Sequence, residues 1–160
     1  MATDLTRGAY TGKETKTYYN SNTHASPTWT EMPRIRNFQF SRGPALSEVE
    51  FHGAGSTGNI PGYQKASGSF EYVKKRGTDA IYSALKTAQA AGSILVIRHL
   101  DNAVTVDGAK GFDVPILLGE SQETANGGDG VVETFQFGKA DAYDASGDAV
   151  EVEDVTISIP

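Results

Sequence analysis

The sequence predicts a mainly β protein with a single helix lying on a sheet, and three observations support this. Ser69-Phe70-Glu71-Tyr72-Val73 alternates polar with apolar side chains, the period-two signature of a half-buried strand. A helix is expected from Asp79 to Ala91, with Thr78 placed to cap it and Gly92 placed to end it. Ile94-Leu95-Val96-Ile97 is a short, β-branched apolar run, as in a strand buried on both faces. Short strands and glycine-rich turns make up the rest, so the helix must pack on a sheet.

In chain order, residues 1 to 26 are polar, rich in Thr, Asn, Gly and Tyr, and read as an extended N-terminal arm. Two readings stand for it, a frayed terminus or, because Tyr10, Tyr18 and Tyr19 are costly to leave in water, an arm that orders against a neighbouring subunit. A single β domain is expected over 27–160, with Trp29 anchoring its edge. Arg34 to Phe40 reads as a strand, Arg42-Gly43-Pro44 as a turn, and Leu46 to Phe51 as a second strand pairing with the first. Gly53 to Tyr63 reads as a long loop, rich in Gly, Ser and Pro, and Ser67 to Tyr72 as the third strand. On the helix, Ile81, Leu85 and Ala88 form the apolar stripe. Beyond it, Val104-Thr105-Val106 is expected to be a short return strand. A strand around Val114 to Leu118 must be an edge or bulged at Pro115, which has no N–H to donate. Asn126 to Gly130 is a hairpin loop, Val131 to Lys139 alternates as a strand, and Val150 to Ile159 supplies the last one.

Composition narrows the function classes. The chain has 160 residues, 18 glycines and no cysteine, so disulfides and thiolate metal sites are excluded. A formal net charge of −6 argues against tight sequence-independent nucleic-acid binding, which needs a basic footprint. Charge is uneven: from Asp141 onward the chain has Asp141, Asp144, Asp148, Glu151, Glu153 and Asp154 with no Lys or Arg. No apolar run approaches the roughly 20 residues of a membrane helix, and Met1 to Arg7 lacks the apolar core of a secretory signal. The expectation is a soluble protein made in the cytoplasm.

No motif points to catalysis. Gly53-Ala54-Gly55-Ser56-Thr57-Gly58 has dinucleotide-fingerprint spacing, yet Asn59-Ile60-Pro61-Gly62 follows where a helix N-terminus is required. Asp144 to Asp148 lacks the glycine and distal glutamate of a calcium loop and reads as a plain turn. His24, His52 and His99 have no metal-ligand spacing, and no serine sits in a nucleophile elbow. Catalytic, cofactor-binding and metal-ligating residues are therefore all expected to be none.

Several segments occur in one order. Tyr18-Tyr19-Asn20-Ser21-Asn22-Thr23-His24-Ala25-Ser26-Pro27-Thr28-Trp29-Thr30-Glu31 leads into a strand at Ile35 to Phe40. Pro61-Gly62, Gly68-Ser69-Phe70-Glu71-Tyr72, the helix with its Ala90-Ala91-Gly92 end, and the Ile94 to His99 strand follow. In this the chain resembles the major tail tube proteins of long-tailed, siphovirus-like bacteriophages. It departs from them at Arg36, Asn37 and Phe38, where such chains more often alternate Val with Asp, and in its more basic Lys74-Lys75-Arg76. The resemblance implies a two-sheet β-sandwich or barrel flanked by one helix, in subunits that form hexameric rings stacked into a tube. It implies a virion tail location, DNA in transit through the lumen without specific binding, and tape-measure, tail terminator and distal tail proteins as partners. Mapped onto the chain, it implies an arm and a 53–63 loop that bridge rings, an acidic lumen, and Lys74 to Arg76 facing acidic surface on the next subunit. A tube protein of a contractile tail or secretion system shares the fold and ring geometry. A carbohydrate-binding β-sandwich shares the β pattern, but it would group its exposed aromatics on one face.

Overall fold

The computed structural model describes residues 14–50, 57–128 and 130–160. It is mainly β with one helix, as expected: β1 Lys16–Asn20, β2 Trp29–Glu31, β3 Ile35–Glu50, β4 Thr57–Val73, α1 Ala80–Ala91, β5 Leu95–Leu100, β6 Lys110–Asn126, β7 Gly130–Lys139 and β8 Glu153–Thr156. The strands hydrogen-bond in the order β2-β1-β5-β6-β7-β4-β3, with β8 also on β6. Two compact units share them. The first comprises residues 1–34, 93–116 and 140–160, the second 35–92 and 117–139, and β6 passes from one into the other.

In the first unit β1 pairs antiparallel with both β2 and β5, and β6 pairs with β5 and β8. Tyr18, Ile97, Leu100, Val114 and Ile116 are buried there. Residues 16–20, read from sequence as part of a free arm, are therefore an integral strand: Thr17 and Tyr18 are buried, and the Tyr18 hydroxyl accepts from the Val104 N–H at 3.0 Å. The loop back to β2 is also tied down, since Asn20 Oδ1 accepts from the N–H groups of Asn22 and Thr28. Of the arm, residues 1–13 lie outside the described residues. Of the apolar run expected to be buried on both faces, Ile97 is buried, Leu95 and Val96 are half-buried, and Ile94, which precedes β5, is exposed. Val104 to Val106 forms turns rather than a strand, the Val106 N–H donating to the Ala103 carbonyl. The final strand shrinks to Glu153–Thr156 because only those residues find ladder partners, on Lys110–Asp113 of β6. β8 stops before Pro115, which is paired to Val96 of β5 and whose carbonyl accepts from the Ala140 N–H at 2.9 Å.

In the second unit β3 and β4 form one long antiparallel hairpin, and β4 pairs over Ser67–Val73 with β7. Two expectations change here. Arg42-Gly43-Pro44 does not turn the chain, because β3 runs through it and pairs with β4; the two sequence-predicted strands are one. Thr57 to Tyr63, expected as loop, is the first part of β4, opposite Leu46–Glu50; residues 53–56 lie outside the described residues. Local turn propensity yielded to a ladder whose partner is remote in sequence. One register shift lies between Arg36 and Gln39, where Asn37 adopts φ 49°, a value asparagine tolerates, and donates to Glu71 at 2.8 Å. The core face carries Phe70, Tyr72, Phe135 and Phe137, with ring centroids of Phe70 and Phe135 5.4 Å apart.

The helix begins one residue later than expected because Asp79, not Thr78, is its cap: the Asp79 carboxylate accepts from the Tyr82 N–H and from the Tyr72 hydroxyl at 2.8 Å. Gly92 ends it in the left-handed conformation, at φ 63°. Leu85 and Ala88 of the expected stripe are buried, and Ile81 is half-buried. Between the helix and β7 lies Glu133, 3% exposed on the same strand face as Phe135 and Phe137. Its carboxylate accepts from Tyr82 Oη at 2.5 Å, Lys86 Nζ at 2.9 Å and Ser121 Oγ at 2.6 Å. Gln89 extends the network to the Gly119 carbonyl and Ser121. Burial pushes the Glu133 carboxyl up, but the bonds from Lys86, Ser121 and Tyr82 together outweigh it and hold the group below the usual carboxylate range.

Two predictions follow from this packing. A Cβ at Gly111 would stand 1.8 Å from the His99 carbonyl oxygen across the ladder, so Gly111→Ala should cost about 1–3 kcal/mol in denaturant unfolding. Since the folded Glu133 pKa is lowered, its contribution is complete above the unfolded value of about 4.3 and is lost as pH falls through the lower folded value. Glu133→Gln should flatten the acid side of a Tm-against-pH curve and cost about 1.5–3 kcal/mol at pH 7.

Candidate functional site

Three features of the two units could meet a partner. The first is the outer part of the β3–β4 hairpin. Among the described residues, β4 before Ser67 pairs only with β3, so Arg42–Glu50 and Thr57–Ala66 form a two-stranded ribbon. An isolated ribbon buries little, and Leu46 is 65%, Ile60 48% and Tyr63 90% exposed. Leu46 stands opposite Pro61, so these two share a face; the register slips between Leu46 and Pro44, which pairs with Gln64, and Tyr63 beside Gln64 lies on the other face. This stretch includes most of the sequence-predicted bridging loop, in strand form.

The second feature is a cleft in the first unit, with a cavity of about 80 Å³. Asn20, His24, Pro27 and Trp29 line one side, and Val150, Glu151 and Glu153 another. At its base Arg98 donates from Nε and Nη2 to the two oxygens of Asp113, both at 2.7 Å, and its guanidinium carbon lies 4.0 Å from the centroid of Trp29. Trp29 is thus an edge anchor, as the sequence suggested, through a cation–π contact that needed Arg98 from a strand far along the chain.

The third feature is the Lys74-Lys75-Arg76 segment. Lys74 is occupied within the chain: it is hydrogen-bonded to Glu123, which holds its ammonium above the usual range, and sits 4.6 Å over the Tyr82 ring. Lys75 and Arg76 are exposed, followed by Gly77 at φ 85°.

The remaining sequence motifs are structural. Asp144 Oδ1 accepts from the N–H groups of Ser146 and Asp148, closing a turn without a cation. Among the described residues, no group of three or more His, Asp or Glu side chains could hold a metal ion. Thr57 and Gly58 of the glycine motif lie in β4, and no helix follows them. His99 shares a 2.9 Å hydrogen bond with Thr17 of β1 and packs on Phe112; burial pushes its pKa down. His52 lies outside the described residues. Among the described residues, no helix is long and apolar enough to cross a membrane.

No protein-family model matches the chain, and no curated protein matches it. Solved structures do. A chain of the SPP1 tail tube aligns with a TM-score of 0.69 at 16% identity, over 94% of this chain and 81% of that one. A chain from the tail of the empty gene transfer agent particle aligns at 0.62 and 15% identity, over 84% and 96%. A chain from the PVC sheath–tube complex, an extracellular contractile injection system, aligns at 0.58 and 8% identity, over 94% and 93%. The fold of this chain is the one these tail and tube components share.

Proposed function

We propose that the chain is a structural subunit of a phage tail tube, copies of which associate into rings that stack around a lumen through which DNA passes. The observation behind this reading is the likeness to the SPP1 tail tube over 94% of the chain. The ribbon adds a physical reason for self-association: exposed Leu46, Pro61 and Tyr63 on an unsupported two-stranded hairpin gain most by burial against another copy. Rings of this kind are typically obligate interfaces above about 2,000 Å², enough to hold a small domain in a durable particle. The net charge of −6 supports passage of DNA without retention. Tape-measure, terminator and distal tail proteins are the matching partners, and the virion tail is the matching location. The likeness to the PVC sheath–tube complex supports a second reading, the tube of a contractile injection system, which needs the same self-association.

Purified protein should show rings or tubes by negative-stain microscopy, whereas a strictly monomeric species at all concentrations in sizing and sedimentation would exclude both readings. Leu46→Asp combined with Tyr63→Asp should leave unfolding within about 0.5 kcal/mol of wild type, as exposed substitutions do, and should abolish tubes.

A further inference from the structure

The two faces of the β3–β4 ribbon differ in charge, and one of them has its complement elsewhere in the second unit. Leu46 stands opposite Pro61 and Glu48 opposite Asn59, so strand alternation sets these four on one face. Lys65, opposite Gly43, falls on the other face. All four residues of the first face are exposed, and the Glu48 carboxylate has no hydrogen-bond or ion-pair partner among the described residues. Arg36, Lys74 and Lys86 are paired with Glu71, Glu123 and Glu133 within the chain. Lys75 and Arg76 are instead exposed and unpaired among the described residues, in a turn that Gly77 closes at φ 85°. That turn leads into α1, where Ala80, Ser83, Thr87 and Ala90 share one exposed face by helical spacing. A helix face turned to water ordinarily carries charged side chains. Here it carries none, because Lys86, the one charged residue of α1, is turned to Glu133.

We propose that the Leu46–Glu48–Pro61 face of the ribbon of one copy docks on the Lys75–Arg76 turn and the adjoining uncharged face of α1 of a second copy. The proposal rests on the tube-subunit reading and names where the ribbon lands. Glu48 meets the two cations, while Leu46 and Pro61 cover helix side chains small enough to let them approach closely. Charge sign is what points to a second copy: an unpaired carboxylate on one protruding element matches two unpaired cations on another. Both surfaces are exposed in the single chain, so neither covers the other within it. The two surfaces differ, so the contact is head-to-tail; such contacts close into rings or run on as helical filaments, whereas a self-complementary patch would stop at a dimer. Two copies meeting turn to turn would oppose like charges, which excludes that arrangement.

The chain has no cysteine, so introduced thiols report the contact directly. Full-length protein with Asn59→Cys and Thr78→Cys, assembled and mildly oxidised, should run as a ladder of disulfide-linked multimers on a non-reducing gel. Ser47→Cys with Thr78→Cys, which moves the thiol to the opposite ribbon face, should give at least about tenfold less, since a disulfide forms only between closely facing Cβ atoms. A charge swap tests the pairing itself. Glu48→Lys, and separately Lys75→Glu with Arg76→Glu, should each raise the concentration needed for ring or tube formation at least about tenfold at low salt, with thermal unfolding close to wild type. The chain bearing all three substitutions should assemble again. Equal ladders from the two cysteine pairs, or none from either in assembled tubes, overturn the proposal while leaving the tube reading intact. A charge variant that assembles as well as wild type does the same, and so does a triple variant that fails to recover. Wild-type protein that forms no rings or tubes overturns the tube reading and the proposal with it.

Discussion

One buried carboxylate fixes the arrangement of the second unit. Glu133 lies on a strand face otherwise made of Phe135 and Phe137, where an unpaired charge would be costly. It persists because the helix brings Tyr82 and Lys86 to it, and β6 brings Ser121. A purely apolar helix stripe could slide or rotate by a residue at little cost; three directional bonds to one carboxylate permit one docking position. Leu85 and Ala88 then supply burial, while Asp79 ties the helix start to Tyr72 of β4.

The sequence revealed what is local. The helix, its stop at Gly92, the alternation in β7 and the Asp144 turn depend on residues within a few positions of one another, and all are where local pattern puts them. What depends on remote partners was misread. Arg42-Gly43-Pro44 and Thr57 to Tyr63 have turn-like composition, yet each is held extended by the other strand of the hairpin. Tyr18 looked like an exposed interface residue because the strand that buries it, β5, lies some eighty positions away. The cleft was invisible for the same reason: Trp29, Arg98 and Glu151 come from three distant segments. Their grouping is a property of the register.

Charge and shape divide the work between the units. The first unit holds the acidic segment and lets its carboxylates face solvent, with Arg98 and Asp113 neutralising each other at the base of the cleft. In the second, Arg36, Lys74 and Lys86 are committed to internal pairs, which lowers the number of basic groups able to hold a polyanion. The exposed pairs Arg36–Glu71 and Lys74–Glu123 contribute little to stability, about 0–1 kcal/mol each. Their effect is on what the surface offers to others.

The register of β1 also bears on when the protein becomes whole. Thr17 bonds His99 across a sequence separation of 82 residues, and Tyr18 reaches Val104 across 86. The β3–β4 hairpin, by contrast, closes on itself and incurs little loop-closure entropy. During synthesis β1 leaves the ribosome well before its partner and is thus among the last strands to find its place, since β5 and the turns after it must be made first. Until then the cleft that includes Asn20 and Trp29 has no floor, because Arg98 and Asp113 are not yet there. An unfinished chain can display its hairpin but cannot complete that cleft.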